Sequence, residues 1–308
     1  MSSALAPARA HAAAALRQAE ARPPSALRSE LILDQPTLEA WGVARPSRLA
    51  FDADGSLYIL DTNRRRLVKV SPEGRLLHEV TVSGEDAAGL TEPGDVVADA
   101  RGSILVLDRA SAAVLAYDKS GSFLAAHPLA PDLAPEARDP RASLLLDAFG
   151  RLWLVAPRER DLVRLDESLS RDRAGRFLTP EDSVPVPRAA VSAANGETWI
   201  ADGVSGALRR FRASGALAGA APLADSAGTA AFLALASDRW GYVYAADGAG
   251  QRIVVFGQAG SRVFERVMGG AARPWRPGAL AWSARDRLAV ADPERGEVEI
   301  LAIERASP

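Results

Sequence analysis

The sequence predicts an all-β fold: a six-bladed β-propeller of four-stranded antiparallel blades, its ring closed by an N-terminal strand. Three observations point there. A glycine-bearing turn recurs at Gly55, Gly102, Gly150, Gly196 and Gly241, with a glycine-free copy at Asp286, at intervals of 45 to 48 residues. Six residues past each mark stand Asp61, Asp108, Ala156, Asp202, Asp247 and Asp292. The last unit stops after its third strand, near Ile303, while a strand-like run, SELILD at residues 29–34, precedes the first unit. A fixed period of this size marks one supersecondary unit repeated along the chain. Radial packing of such units leaves only short, protected sheet edges, and the spare N-terminal strand supplies what the last unit lacks.

Each unit reads as four strands. Before the mark comes a short apolar run, as in RLAFDADG and DVVADARG; between mark and aspartate lies a second, as in SLYILD, SILVLD and RLWLVA. A third run follows, as in LVKVS and RIVVFG, and a second turn falls thirteen residues past the aspartate at Gly74, Gly121, Gly215 and Gly260. Runs of Val, Ile, Leu and aromatics bounded by Gly, Asp, Asn and Ser are strands joined by tight hairpins. A fourth run closes the unit, as in RLLHEVTV, SFLAAHPL and SRVFERVM. The expected organisation is an Ala-rich tail or helix over 1–28, a propeller over 29–303 with blades starting near 46, 93, 140, 187, 232 and 277, and a short tail over 304–308.

The stretches from Tyr58 to Leu67 and from Val243 to Ile253 resemble the core pattern of NHL repeats, in which an aspartate closes the second strand and an arginine five residues later opens the third. Pro46, Pro93, Pro140, Pro187 and Pro277, which lead the first strands, are similar to the same family. The resemblance covers nearly all of 29–303. The aspartate is kept in five units of six, but the arginine only at Arg66 and Arg252. The resemblance implies a bacterial binding or scaffolding module and, because similar bacterial proteins are often exported, favours an extracytoplasmic site over a cytoplasmic one. It also implies an alternative, since broadly similar propeller lactonases and lyases hold a metal at the channel mouth.

Composition bounds the function. The 308 residues are 48% hydrophobic with a net charge of −2, enough apolar content for a large core and too little charge to draw the whole molecule to nucleic acid or an anionic membrane. Lysine occurs only at Lys69 and Lys119, so nearly all 37 basic residues are arginine. With no cysteine there is no disulfide, thiolate nucleophile or iron–sulfur ligation within the chain. Residues 4–21 are good helix formers apart from Pro7, Pro23-Pro24 would stop them, and their longest apolar run is too short for a membrane span or a signal-peptide core. They read as a tail or a docking helix.

Binding residues are expected on the face that carries the second-to-third strand loops and the blade-to-blade loops, because loops held by a rigid scaffold are where propellers place function. The candidates for contact with another protein are Trp41, Arg48, Arg64, Arg65, Arg141, Arg158, Arg160, Arg188 and Trp275, since Trp and Arg are the side chains that most often anchor interfaces. Each has a structural reading beside the functional one. The repeated aspartates accept backbone hydrogen bonds in the turns they open; Arg66 and Arg252 brace neighbouring aspartates; and the cluster Arg64, Arg65 and Arg66 is either a solvated loop or a fork for phosphate or carboxylate. Tyr58, Trp153, Trp199 and Tyr244, each three residues before the blade aspartate or its substitute, pack between blades.

Chemistry at the channel mouth has thin support. The positions seven residues before each mark are Arg48, Asp95, Ser143, Ala189, Ala234 and Ala279. One carboxylate among small residues does not make a metal site, and none of the histidines, His11 in the tail and His78 and His127 in outermost strands, is placed to ligate there or to activate a serine. No cofactor is expected; a small ligand in the channel stays an open alternative. RNA binding needs a basic face, and Glu85, Asp86, Glu92, Glu136, Asp139, Glu181 and Asp182 crowd the blade-to-blade loops. Blade three departs furthest, with Ala156 for the aspartate and a charged stretch, Asp166 to Arg176, in place of the second turn. It reads either as drift or, together with blade four, as the sector for a partner.

Overall fold

The computed structural model of the chain describes residues 22–80, 90–99, 101–172, 177–178, 182, 184–222, 232–270 and 273–306. Of the N-terminal segment expected as a tail or helix, residues 1–21 lie outside the described residues, as do Glu85, Asp86 and Glu181. Strand β1 (Pro24–Leu33) precedes a short helix, α1 (Gln35–Ala40), capped by Asp34, whose side chain accepts the Thr37 amide at 3.1 Å. Blade one holds β2 to β5 (Arg48–Phe51, Leu57–Asp61, Arg66–Val70, Leu76–Val80) and blade two β6 to β9 (Pro93–Ala98, Ile104–Asp108, Ala113–Tyr117, Phe123–Pro128). After α2 (Ala134–Ala137), blade three shows β10 to β12 (Ser143–Leu146, Leu152–Ala156, Asp161–Arg164). Blade four holds β13 to β16 (Pro187–Ser192, Thr198–Asp202, Ala207–Phe211, Leu217–Pro222) and blade five β17 to β20 (Phe232–Ser237, Val243–Asp247, Arg252–Phe256, Arg262–Val267). A two-residue ribbon, β21 and β22 (Gly269–Gly270, Arg273–Pro274), leads to blade six with β23 to β25 (Ala279–Ser283, Arg287–Asp292, Glu297–Arg305).

All pairings within the blades are antiparallel, and β1 adds to the edge of β25 as the fourth strand of blade six, with Leu33 opposite Val298 and Leu27 opposite Ile303. The closing strand starts at Pro24, earlier than the expected 29–34, because β25 runs on to Arg305 and offers it a longer ladder. The first strands of successive blades touch in the order one to six and back to one, so the ring is closed. Blade three shows three strands among the described residues, its outer position continuing as a single bridge between Leu165 and Arg171. No helix among the described residues is long and apolar enough to cross a membrane.

The core lies between blades. Tyr58, Trp199 and Tyr244 are fully buried and Trp153 nearly so; Tyr58 packs on Val96 and Val106 of blade two, and Tyr244 on Leu288 and Val290 of blade six. Trp199 meets Phe256 of blade five at 6.2 Å between ring centroids. Equivalent aromatics thus wedge four of the six blades against the next, the packing that the repeat spacing predicts.

The turns explain the glycine ruler. Gly55, Gly102, Gly150, Gly196 and Gly241 all sit at φ between 75° and 88°, and Asp286 takes the same left-handed place at 57°. Aspartate tolerates that region better than most side chains, which is why the sixth copy needs no glycine. Blade three keeps its second turn, contrary to the expectation that a charged stretch replaces it. The Leu169 amide donates to Asp166 O at 3.0 Å with Leu169 at φ 53°, matching Gly121 over Asp118 in blade two. A left-handed leucine costs about 1–2 kcal/mol, and packing of Leu169 against the core around Leu165 offsets it.

Candidate functional site

The loop face is built on buried carboxylates that tie two loops together. Asp61 accepts the amides of Ala44 and Arg45 from the incoming loop at 2.8 Å each, and those of Asn63 and Arg64 from its own turn at 3.0 and 2.9 Å. Asp108 joins Thr91 and Glu92 to Ser111, Asp202 joins Val186 to Val204, and Asp292 joins Arg276 to Glu294 and Arg295 in the same way. Asp247 accepts from Gly250 and from the Arg252 guanidinium at 3.1 Å. Asp61, Asp108, Asp202 and Asp292 therefore do more than open a turn: they fasten the blade-to-blade loop against it. Arg252 braces its aspartate as expected, whereas Arg66 reaches Glu79 at 2.6 Å instead of Asp61.

In blade three the fastening carboxylate has changed sides. Ala156 cannot accept, but Glu136, buried on α2 of the incoming loop, takes the Arg158 amide at 3.0 Å. Burial pushes the Glu136 carboxyl above the usual glutamate value, against the pull of that hydrogen bond. Asp161, at the position where NHL repeats carry arginine, is fully buried and accepts the amides of Leu162 and Leu178.

The turn that ends in the third strand is equally regular. Its last residue lies in the left-handed region in all six blades: Arg65, Ala112, Arg160, Gly206, Gln251 and Gly296. Blades four and six use the residue such a turn favours, while blades one and three put an exposed arginine there, at about 1–2 kcal/mol of backbone strain.

The central channel holds a cavity of about 380 Å³ lined along the first strands of all six blades, with Arg48, Asp95, Ser143, Arg188, Ala234 and Ala279 at its loop-face end. Asp95 is its carboxylate, and it is internally engaged. Its two oxygens accept the amides of Val96 and, across to blade three, Leu144, both at 2.9 Å, and the Arg48 guanidinium stands 3.5 Å away. Burial raises the Asp95 carboxyl while Arg48 lowers it. Arg109, itself nearly buried, donates to Pro140 O at 2.7 Å, and its charge acts on Asp95; burial first, then Arg48, weakens its hold on its proton without threatening its charge.

Around this mouth the residue before the first channel position and the residue after the blade aspartate are complementary in size. A Cβ on Gly94 would come 2.6 Å from Arg109 Nε, one on Gly248 2.7 Å from Leu233, and one on Gly278 2.9 Å from Pro293; in blade four a Cβ on Gly203 would collide with Arg188 Nε. Blade one uses two small hydroxyls, with Ser47 Oγ 3.1 Å from Thr62 Oγ1, and blade three sets Ala142 against Pro157. In blades two, four, five and six one large side chain lies over a glycine in this seat: Arg109, Arg188, Leu233 and Pro293.

The expected partner residues fall into three groups. Trp275 is not an exposed anchor: it is 4% accessible, packed between blades five and six with the Arg295 guanidinium 5.5 Å from its ring. Trp41 is half-buried against the core of blades one and six, because it caps α1 and its ring covers the apolar residues beneath. Arg141 forks onto Asp139 at 2.9 and 2.8 Å, and Arg158 lies 3.9 Å from the same carboxylate with its side chain 60% exposed. Arg64, Arg65, Arg160 and Arg188 are exposed, and among the described residues none has a side-chain hydrogen bond or ion pair. Two acids that crowd the face in sequence, Glu136 and Asp139, are buried, the first engaged with the Arg158 amide and the second with the Arg141 guanidinium. The sequence reading missed Arg109 and the role of Glu136. Among the described residues no three histidines, aspartates or glutamates gather as a metal site, and His78 and His127 lie in the outer strands β5 and β9.

No family model matches the chain, and no curated protein matches it in sequence. Solved structures do. Virginiamycin B lyase from Staphylococcus aureus is 12% identical with a TM-score of 0.65, the likeness covering 91% of this chain and 99% of that one. A catalytically inactive histidine-to-alanine variant of that lyase with quinupristin is 12% identical with a TM-score of 0.57, covering 83% and 80%. The β-propeller domain of Myceliophteria thermophila Swd1 is 14% identical with a TM-score of 0.56, covering 84% and 82%. At these identities the likeness shows the propeller fold.

Proposed function

We propose that the chain is a non-catalytic, NHL-like propeller module whose loop face binds another protein. The observation that carries this reading is the set of exposed arginines without side-chain partners among the described residues, Arg64 and Arg65 on blade one and Arg160 on blade three, two of them held in a strained turn. Strained positions cluster at sites of function, and guanidinium groups raised on a rigid rim are ready-made anchors for carboxylates on a partner surface. Of the acids in the loop that leads into blade three, Glu136 and Asp139 are buried. A propeller lyase or hydrolase is the second reading, and fold likeness to virginiamycin B lyase favours it. A histidine matters to activity in that protein, whereas both described histidines here stand in outer strands.

A photo-crosslinking residue at Asn63, on the loop face, should capture a specific protein from a native lysate, while one at Glu73, in the hairpin between β4 and β5 on the opposite face, should not. Equal capture from both positions would contradict the proposed face.

A further inference from the structure

We infer that the channel mouth is a binding site for a small organic carboxylate, held by Arg188 and seated against an apolar wall. The inference does not depend on a protein partner at the outer rim.

Four observations converge. First, the mouth opens into a channel cavity of about 380 Å³, room enough for a small organic molecule. Second, its ionic balance is positive and specific. Asp95 has each oxygen on a backbone amide, Arg48 3.5 Å away and the charge of Arg109 acting on it, so its negative charge is offset within the protein. Across the ring from Arg48, on blade four, Arg188 lines the same cavity, exposed and without a side-chain partner among the described residues. Third, Arg188 is seated rather than free to wander. Its stem lies over Gly203, where any side chain would displace it, and it is the one charged occupant of this seat that is exposed, since Arg109 on blade two is buried. Fourth, the wall on the blade-five side of Arg188 is apolar: Leu233, 38% exposed, with Ala234 and Leu235.

A guanidinium fork meets a carboxylate with two parallel hydrogen bonds, and in a partly desolvated mouth such a pair is stronger than on open surface. The alanine and leucine wall accepts a hydrocarbon body, which an inorganic anion does not offer. Arg48 on the opposite wall adds attraction for a second carboxylate without surrendering Asp95. The class that fits best is therefore a short dicarboxylate or a carboxylate with a small apolar chain.

The test is a calorimetric titration of the full chain at low ionic strength, where screening is weakest. The probes are adipate, succinate, inorganic phosphate and a capped Gly-Glu-Gly peptide. Adipate is expected to bind, and Arg188→Gln should weaken it about tenfold or more, the usual worth of a hydrogen-bonded charge. Gly203→Ala, which fills the seat of the guanidinium, should weaken it as well while leaving the melting temperature nearly unchanged. Charge reversal at Arg64, Arg65 and Arg160 should leave adipate binding unchanged, which separates this site from the proposed protein face. Absence of binding by both carboxylates, equal affinity in Arg188→Gln, or phosphate binding at least as tight as adipate would overturn the inference. Binding of the peptide alone would also overturn it, by assigning the carboxylate to a partner chain.

Discussion

Glu136 accepts the backbone amide of Arg158 at 3.0 Å from the loop that leads into blade three, and so performs from the opposite side the fastening that Asp61 performs in blade one. The exchange explains how the blade tolerates Ala156. Glu136→Ala should destabilise the protein by about 1–3 kcal/mol, because it leaves a buried amide without an acceptor. Adding Ala156→Asp should recover part of that loss. Urea midpoints of the two variants decide it; full stability in Glu136→Ala would show that the exchange has no energetic content.

The blade-one aspartate should be costlier to remove. Asp61 is fully buried and accepts four backbone amides, so Asp61→Ala should lose at least about 3 kcal/mol in urea unfolding. The same measurement on Asp202→Ala should also show a loss, since Asp202 accepts the amides of Val186 and Val204.

Two carboxyls of the loop before blade three should titrate in opposite directions. The Arg141 fork holds Asp139 below the ordinary aspartate value of 3.8, so its contribution is present above that value and is lost as pH falls through its lowered pKa. Burial raises Glu136 above the ordinary glutamate value of 4.5, so its ionised form weighs against the fold as pH rises through the raised pKa. Carboxyl-resolved NMR titration should therefore find Glu136 protonating well before Asp139 on acidification, and Arg141→Gln should bring the two closer.

Trp275→Ala should act as a core mutation, costing about 3–5 kcal/mol through a cavity between blades five and six. Binding to a protein partner at the arginine rim, measured at a temperature where the variant stays folded, should not change.

Much of this architecture is legible in the sequence because the repeat supplies six readings of each position. The left-handed turns, the blade count and the wedge aromatics Tyr58, Trp153, Trp199 and Tyr244 all follow from spacing alone. What spacing hides are interactions that change side between copies. Glu136 stands twenty residues before Ala156, so alignment of the repeats shows a missing aspartate and not its replacement. Leu169 hides a turn because leucine rarely takes a positive φ. Trp275 reads as an exposed loop tryptophan because nothing local reveals that the loop folds back over the core. The size rule that links Gly203 to Arg188 was visible in the alternation of glycine with larger residues at two fixed positions, and is apparent once the seats are seen to touch.

The most direct test of the binding-module reading compares the full chain with the triple variant Arg64→Glu, Arg65→Glu, Arg160→Glu in affinity capture from a native lysate. The account predicts a stoichiometric protein that is captured by the native chain, released by moderate salt and absent from the variant, with equal melting temperatures for both. A captured protein that persists unchanged on the variant, or no captured protein at all beside measurable turnover of a small substrate, would contradict it.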